Sequence, residues 1–178
     1  MIKQLLHSVF QSKNSFEHTV MIENFIDSAL IIDDKFDEIS QLKNLLEGKE
    51  IFVRHLYPED LKSQTGFLRN RKIIFLDLYV EEDKNLTSNI SILRGIFQKR
   101  FGTEFGNYGV VLWSKHTEEI EQFKSKVAND STLYTLPLFI VGIDKNKYLR
   151  TGDYETLLSD INVMLEEDFA ARFFMYWE

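Results

Sequence analysis

The sequence predicts a three-layer α/β domain, a doubly wound (βα)5 unit around a parallel sheet in the order 2-1-3-4-5. Three observations point there. Five short apolar runs are continuous rather than alternating, as strands read when both sheet faces are covered. The segments between them carry apolar residues at helical spacing, and strand–helix alternation favours a parallel sheet with right-handed crossovers. Acidic residues directly follow the first and third runs, and a 2-1-3-4-5 order brings those two strand ends together at its switch point.

The strand runs are 29–32, 51–53, 73–76, 110–113 and 138–141. After the first, Phe36, Ile39, Leu42, Leu45 and Leu46 share one helical face, with Gly48 as the expected stop. A second helix is expected over about 58–68, opening on Pro58, Glu59 and Asp60. Ile90, Leu93, Ile96 and Phe97 mark the third helix. Ile120, Phe123 and Val127 mark the fourth, and Leu157, Ile161, Met164 and Leu165 the fifth. Around this domain, 29–167, lie a helical extension over 1–28, with Phe16 and Val20, and a tail over 168–178. The tail crowds Phe169, Phe173, Phe174, Met175, Tyr176 and Trp177. It suits packing on the N-terminal helix, a homodimer or partner surface, or a boundary within a longer chain.

Composition narrows the function classes. The chain has 178 residues, 44% hydrophobic and 28% charged, which describes one ordinary globular domain. With 21 basic against 28 acidic residues the formal charge is −7, so a general nucleic-acid binder is not expected. Without cysteine there is no disulfide, no cysteine-held zinc and no thiol catalysis. No apolar run reaches the roughly 18 residues of a membrane span. The segment from Met1 to Ser8 has one Lys and no long apolar core, so a secretory signal is not expected and a cytoplasmic location is. His7, His18, His55 and His116 form no metal-ligand spacing and read as surface or packing residues. Glu81, Glu82 and Asp83 read as a solvated loop end.

The chemistry sits at the strand ends. Asp33 and Asp34 follow strand 1, Asp77 follows strand 3, Ser114 follows strand 4, and Lys145 lies just past strand 5. Asp34 alone could be a helix N-cap, and Ser114 could cap the fourth helix. Together the three carboxylates repel one another, and a divalent cation with hard oxygen ligands, Mg²⁺, would relieve that repulsion. One carboxylate could then attack a phosphoryl group, with Ser114 and Lys145 to contact its oxygens.

These residues resemble the receiver domain of bacterial two-component response regulators, a flavodoxin-like fold. The matching stretches are Ile31-Ile32-Asp33-Asp34, Phe75-Leu76-Asp77-Leu78, Ser114 and Lys145, and the resemblance covers about 29–167. It implies that Asp77 is phosphorylated by a partner sensor histidine kinase. It further implies that Asp33, Asp34, Asp77 and the backbone carbonyl of Tyr79 hold Mg²⁺, that Ser114 is the switch hydroxyl, and that Lys145 meets the phosphate. The implied protein is a phosphorelay component acting on a downstream effector, not an enzyme beyond its own phosphotransfer and dephosphorylation. The N-terminal extension and the closing Tyr176-Trp177-Glu178 are similar to a divergent receiver subfamily of bacterial conflict (antiphage) systems.

The chain also departs from the receiver pattern. The stretches from Asp77 to Ser114 and from Ser114 to Lys145 are longer than in a compact receiver. Asn146 stands where receivers carry Pro, which leaves Lys147 as the alternative phosphate contact. Phe139 is one candidate for the aromatic switch residue. A phosphorylation-independent pseudo-receiver, an interaction module with the same fold, is the alternative function. An aspartyl phosphatase would want an acid two residues past the nucleophile, where this chain has Tyr79.

Overall fold

A computed structural model describes residues 22, 26–57, 72–79, 85–91, 94, 108–130 and 137–168. The expected second helix, Glu81 to Asp83, and nearly all of the N-terminal extension and aromatic tail lie outside them. Five parallel strands form one sheet in the order β2-β1-β3-β4-β5: β1 Ser28–Ile32, β2 Phe52–Leu56, β3 Lys72–Leu76, β4 Tyr108–Ser114 and β5 Ile140–Asp144. Among the described residues four α-helices are bounded: α1 Phe36–Gly48, α2 Ile120–Ala128, α3 Lys145–Thr151 and α4 Tyr154–Glu167. A further helical stretch covers 86–91. This is a flavodoxin-like α/β fold.

The continuous apolar runs are explained by two cores, one on each sheet face. Successive strand residues point to opposite faces. Ala29, Ile31, Ile73, Phe75, Val111 and Trp113 therefore pack with Ile39, Leu42 and Leu46 of α1 and Leu157, Ile161 and Leu165 of α4. Their neighbours Leu30, Ile32, Ile74, Leu76, Val110 and Leu112 pack with Ile120, Phe123 and Val127 of α2 and Leu86 and Ile90 of the 86–91 stretch. A strand covered on both sides cannot afford an alternating pattern. Ile22 and Ile26, inside the expected extension, are buried in the first core, and the Ile22 N–H donates to Asn162 Oδ1 at 2.8 Å.

Several expectations shift at element edges. The fifth strand is Ile140–Asp144 rather than 138–141. Gly142 lies within β5, and only glycine fits there because a Cβ would come within 2.4 Å of Ile120 Cδ1. Leu138 and Phe139 still bond β4 through their backbones, Leu138 N to Tyr108 O at 2.9 Å and Val110 N to Phe139 O at 3.0 Å. Phe36 and Met164, expected on core faces, are exposed. Helix α3 was not anticipated, since only Lys145 and Tyr148 of its seven residues are buried. Among the described residues no helix is long and apolar enough to cross a membrane.

Gly48 does not terminate α1 through a left-handed turn. It is the last helical residue, and the left-handed position falls two residues later on Glu50, φ 62°. Its N–H bonds Glu47 O at 3.1 Å, and Ile51 N bonds Leu46 O at 3.1 Å. An L side chain at such an angle costs energy that glycine avoids. Glu50→Gly is expected to stabilise the fold by about 1 kcal/mol, a rise of about 2–4 °C in Tm. A lower Tm in thermal unfolding would contradict this.

Candidate functional site

The switch point of the sheet lies between β1 and β3, which pair in parallel so that their C-terminal ends sit side by side. The ladder runs one residue past the strands, with Asp77 N bonding Ile32 O at 2.9 Å and Asp33 N reaching Leu56 O at 3.4 Å. This fixes both carboxylates at the C-terminal edge. Asp33 is fully buried and Asp77 nearly so. Asp33, Asp34 and Asp77 each offer an oxygen, and these atoms all lie within 4.8 Å of one another. Such a convergence of hard, anionic oxygens suits a small divalent cation.

Local backbone turns orient the two buried acids. Asp33 Oδ1 accepts from Lys35 N at 2.8 Å, and Asp77 Oδ1 accepts from Tyr79 N at 3.1 Å. That leaves the Oδ2 atoms facing Lys145. Its Nζ donates to Asp33 Oδ2 at 2.7 Å and to Asp77 Oδ2 at 2.8 Å. Lys145 is 1% exposed although it is a lysine, because β5 runs straight into α3 and places it on the first helical residue. Asn146 is used rather than merely tolerated here. Its N–H donates to Asp144 Oδ1 at 2.9 Å, capping α3 through a bond that proline could not make.

The alternative lysine is elsewhere. Lys147 bonds Asp160 of α4, which also accepts from the Tyr148 hydroxyl at 2.5 Å. Ser114 closes β4 and is fully buried. Its Oγ accepts from His116 N at 3.1 Å, so it forms a local turn and does not cap a helix; the helical turn Thr117–Glu119 that precedes α2 starts after His116. Nor does Asp34 cap α1, whose N-cap is Lys35. Phe139 is buried beside Gly109, at the opposite end of the sheet from the acids.

One residue of the cluster is invisible to strand-end reasoning. Glu38, in the first turn of α1, places Oε2 at 2.9 Å from Lys145 Nζ and Oε1 at 2.6 Å from Lys115 Nζ. Its only sequence signal is its place one helical turn beyond Asp34. His55 packs its ring against Phe36 and Tyr57, as expected for a surface or packing residue, and its Nε2 also donates to the Asp33 backbone carbonyl at 2.8 Å.

The charges adjust accordingly. Burial pushes the Asp33 carboxyl up; Lys145 opposes the shift, Asp77 adds to it, and the net direction is upward. Burial also pushes Glu38 up, but hydrogen bonds from Lys115 and Lys145 outweigh it and hold its carboxyl low. Burial pushes the Lys145 ammonium down, and the charges of Asp77 and Asp33 overcome this and raise it. The lysine is therefore a cation at any ordinary pH.

Beside Asp77 opens a cleft of about 250 Å³, lined by Asp77, Tyr79, Lys115 and His116. The Tyr79 ring lies 4.2 Å from the His116 ring, and its hydroxyl donates to Glu119 Oε2 at 2.7 Å. Burial and that acceptor push the Tyr79 hydroxyl up to about 12, so it stays protonated. An acid, a lysine and two aromatic rings thus share one opening, which gives the Asp77 carboxylate a route to solvent.

No family model matches the chain, and no curated protein matches it. Among solved structures, one similar chain joins a yeast Spc42 trimeric coiled coil to another structure. It shares 14% identity, covers 79% of this chain and 81% of that chain, and superposes with a TM-score of 0.42.

Proposed function

We propose that this chain is a receiver-like phosphoacceptor domain. Asp77 takes a phosphoryl group from a phosphohistidine on a partner sensor kinase, and the change alters contacts with a downstream effector. The observation that carries this reading is the meeting of Asp33, Asp34 and Asp77 within 4.8 Å at the sheet's switch point, with the Lys145 ammonium on the same edge. A carboxylate oxygen of Asp77 attacks phosphorus, the P–N bond to the donor imidazole breaks, and the imidazole leaves with its electron pair. Mg²⁺, held by Asp33, Asp34, Asp77 and the Tyr79 carbonyl, would supply charge neutralisation on the transferring oxygens. Lys145 is placed to follow the new charge as it forms, and Ser114 lies at the end of the adjacent strand to donate to a phosphoryl oxygen. A phosphoryl group adds charge close to −2 at neutral pH, enough to redraw the ion pairs of this edge. The resemblance to receivers of bacterial defence systems gives the proposed setting.

The test is intact mass after incubation with acetyl phosphate, with and without Mg²⁺. One base-labile phosphoryl group is expected in its presence and little or none with EDTA. Asp34→Ala should weaken Mg²⁺ binding. No mass gain under any of these conditions would sink the reading. One observation favours a second reading: Lys145 already neutralises two of the acids, so the cluster is held together by charges of the chain itself. A phosphorylation-independent interaction module would show no mass gain while retaining its partner.

A further inference from the structure

We propose that Glu38 is a positioning residue for this site: it gives the Lys145 ammonium an anionic partner outside the triad, so that the lysine can yield Asp33 and Asp77 to a divalent cation. The proposal rests on the receiver-like reading and extends it to a residue outside the acidic triad. Lys145 Nζ sits 2.7 Å from Asp33 Oδ2, 2.8 Å from Asp77 Oδ2 and 2.9 Å from Glu38 Oε2. Two of these three carboxylates are the same ones that converge for a cation. A cation and an ammonium therefore compete for the Asp33 and Asp77 oxygens, and like charges repel. Glu38 stands apart from the triad, on α1, and offers the lysine an anionic partner that does not have to be surrendered.

Two further observations support the assignment. Glu38 is itself anchored from the other side by Lys115, at 2.6 Å, and Lys115 directly follows Ser114 and lines the cleft at Asp77. The Tyr154 hydroxyl, on α4, donates to the Glu38 backbone carbonyl at 3.2 Å, which fixes the turn that carries it. Counting Asp33, Asp34, Asp77 and Glu38 against Lys145, Lys115 and Lys35, which lies 4.0 Å from Glu38, leaves an excess of one negative charge, which neutralising Glu38 would abolish. Glu38 thus contributes in two ways: by retaining the lysine and by keeping the local charge favourable to a cation.

The experiment is calorimetric titration of the full chain with Mg²⁺. Glu38→Gln, which keeps size but removes the charge and one of the two acceptor oxygens that the lysines use, is expected to weaken binding about tenfold, and Glu38→Asp to recover part of it. Because Glu38 acts through Lys145, the same Glu38→Gln change made in a Lys145→Met background should cost only about twofold. A merely structural role would give the same loss in both backgrounds and no recovery with Asp, and would overturn the proposal. So would unchanged Mg²⁺ affinity in Glu38→Gln. If the parent chain itself binds no Mg²⁺, the receiver-like reading fails and takes this proposal with it. If the parent binds and only the Glu38 comparison fails, that reading stands alone.

Discussion

Asp77→Asn is expected to take up no phosphoryl group from acetyl phosphate, whatever the Mg²⁺ concentration. The substitution keeps the shape of a side chain that is only 8% exposed, and an amide oxygen can still accept from the Tyr79 N–H that now bonds Oδ1. What it removes is the anionic oxygen that Lys145 touches at 2.8 Å and that borders the cleft. An amide oxygen is a poor nucleophile, so the loss should be complete rather than partial. Mg²⁺ affinity should fall by about tenfold or more with one charged ligand gone. Stability should change little, because the mutation removes both an ion pair and a repulsion with Asp33. Intact mass reads the first outcome, calorimetry the second and thermal unfolding the third. A fully labelled Asp77→Asn protein would place the acceptor at another residue.

Lys145→Met is expected to produce the largest loss of stability. The ammonium is 1% exposed and faces Asp33, Asp77 and Glu38, so its removal leaves buried carboxylates uncompensated. Breaking a buried pair from one side costs about 3–5 kcal/mol, about 10 °C in a chain of this length. The sign of the pH response follows from the charges. The folded pKa of Lys145 is raised above its ordinary 10.5. Its contribution is thus fully present below pH 10.5 and is lost only as pH rises through the higher folded value. In the variant the acids lose their cation, and Asp33, already raised above 3.8 by burial, rises further. A group with a raised folded pKa stabilises the fold as pH falls through that value. The variant should therefore gain Tm on mild acidification, and Mg²⁺ should raise its Tm more than the parent's. An acid-independent Tm equal to the parent's would show that the lysine does not hold the cluster.

The sheet was legible because its strands are covered on both faces. Ala29 to Ile32 and Ile73 to Leu76 have no polar face to confuse with a helix. Asp33, Asp34 and Asp77 were legible for the same reason: a buried run that stops abruptly on an acid marks a strand end, and the strand order then fixes which ends meet. Glu38 was not. An acid in the first turn of a helix has an ordinary explanation in the helix dipole, and its reach to Lys145 depends on how α1 packs, which no local pattern encodes. The end of the fifth strand was not legible either, because glycine serves both turns and close approaches, and only the position of Ile120 shows that Gly142 is the latter. Helix α3 escaped because its capping and its bonds to Asp160, rather than apolar spacing, hold it.

The direct passage from β5 into α3 means that the lysine's aim is an angle, not merely an address. A residue inserted between Asp144 and Lys145 would turn the ammonium by about 100° around the helix axis, away from its acids, with hardly any change in its distance along the chain. Most loops absorb a length change by bowing outward, but this junction has no slack to bow.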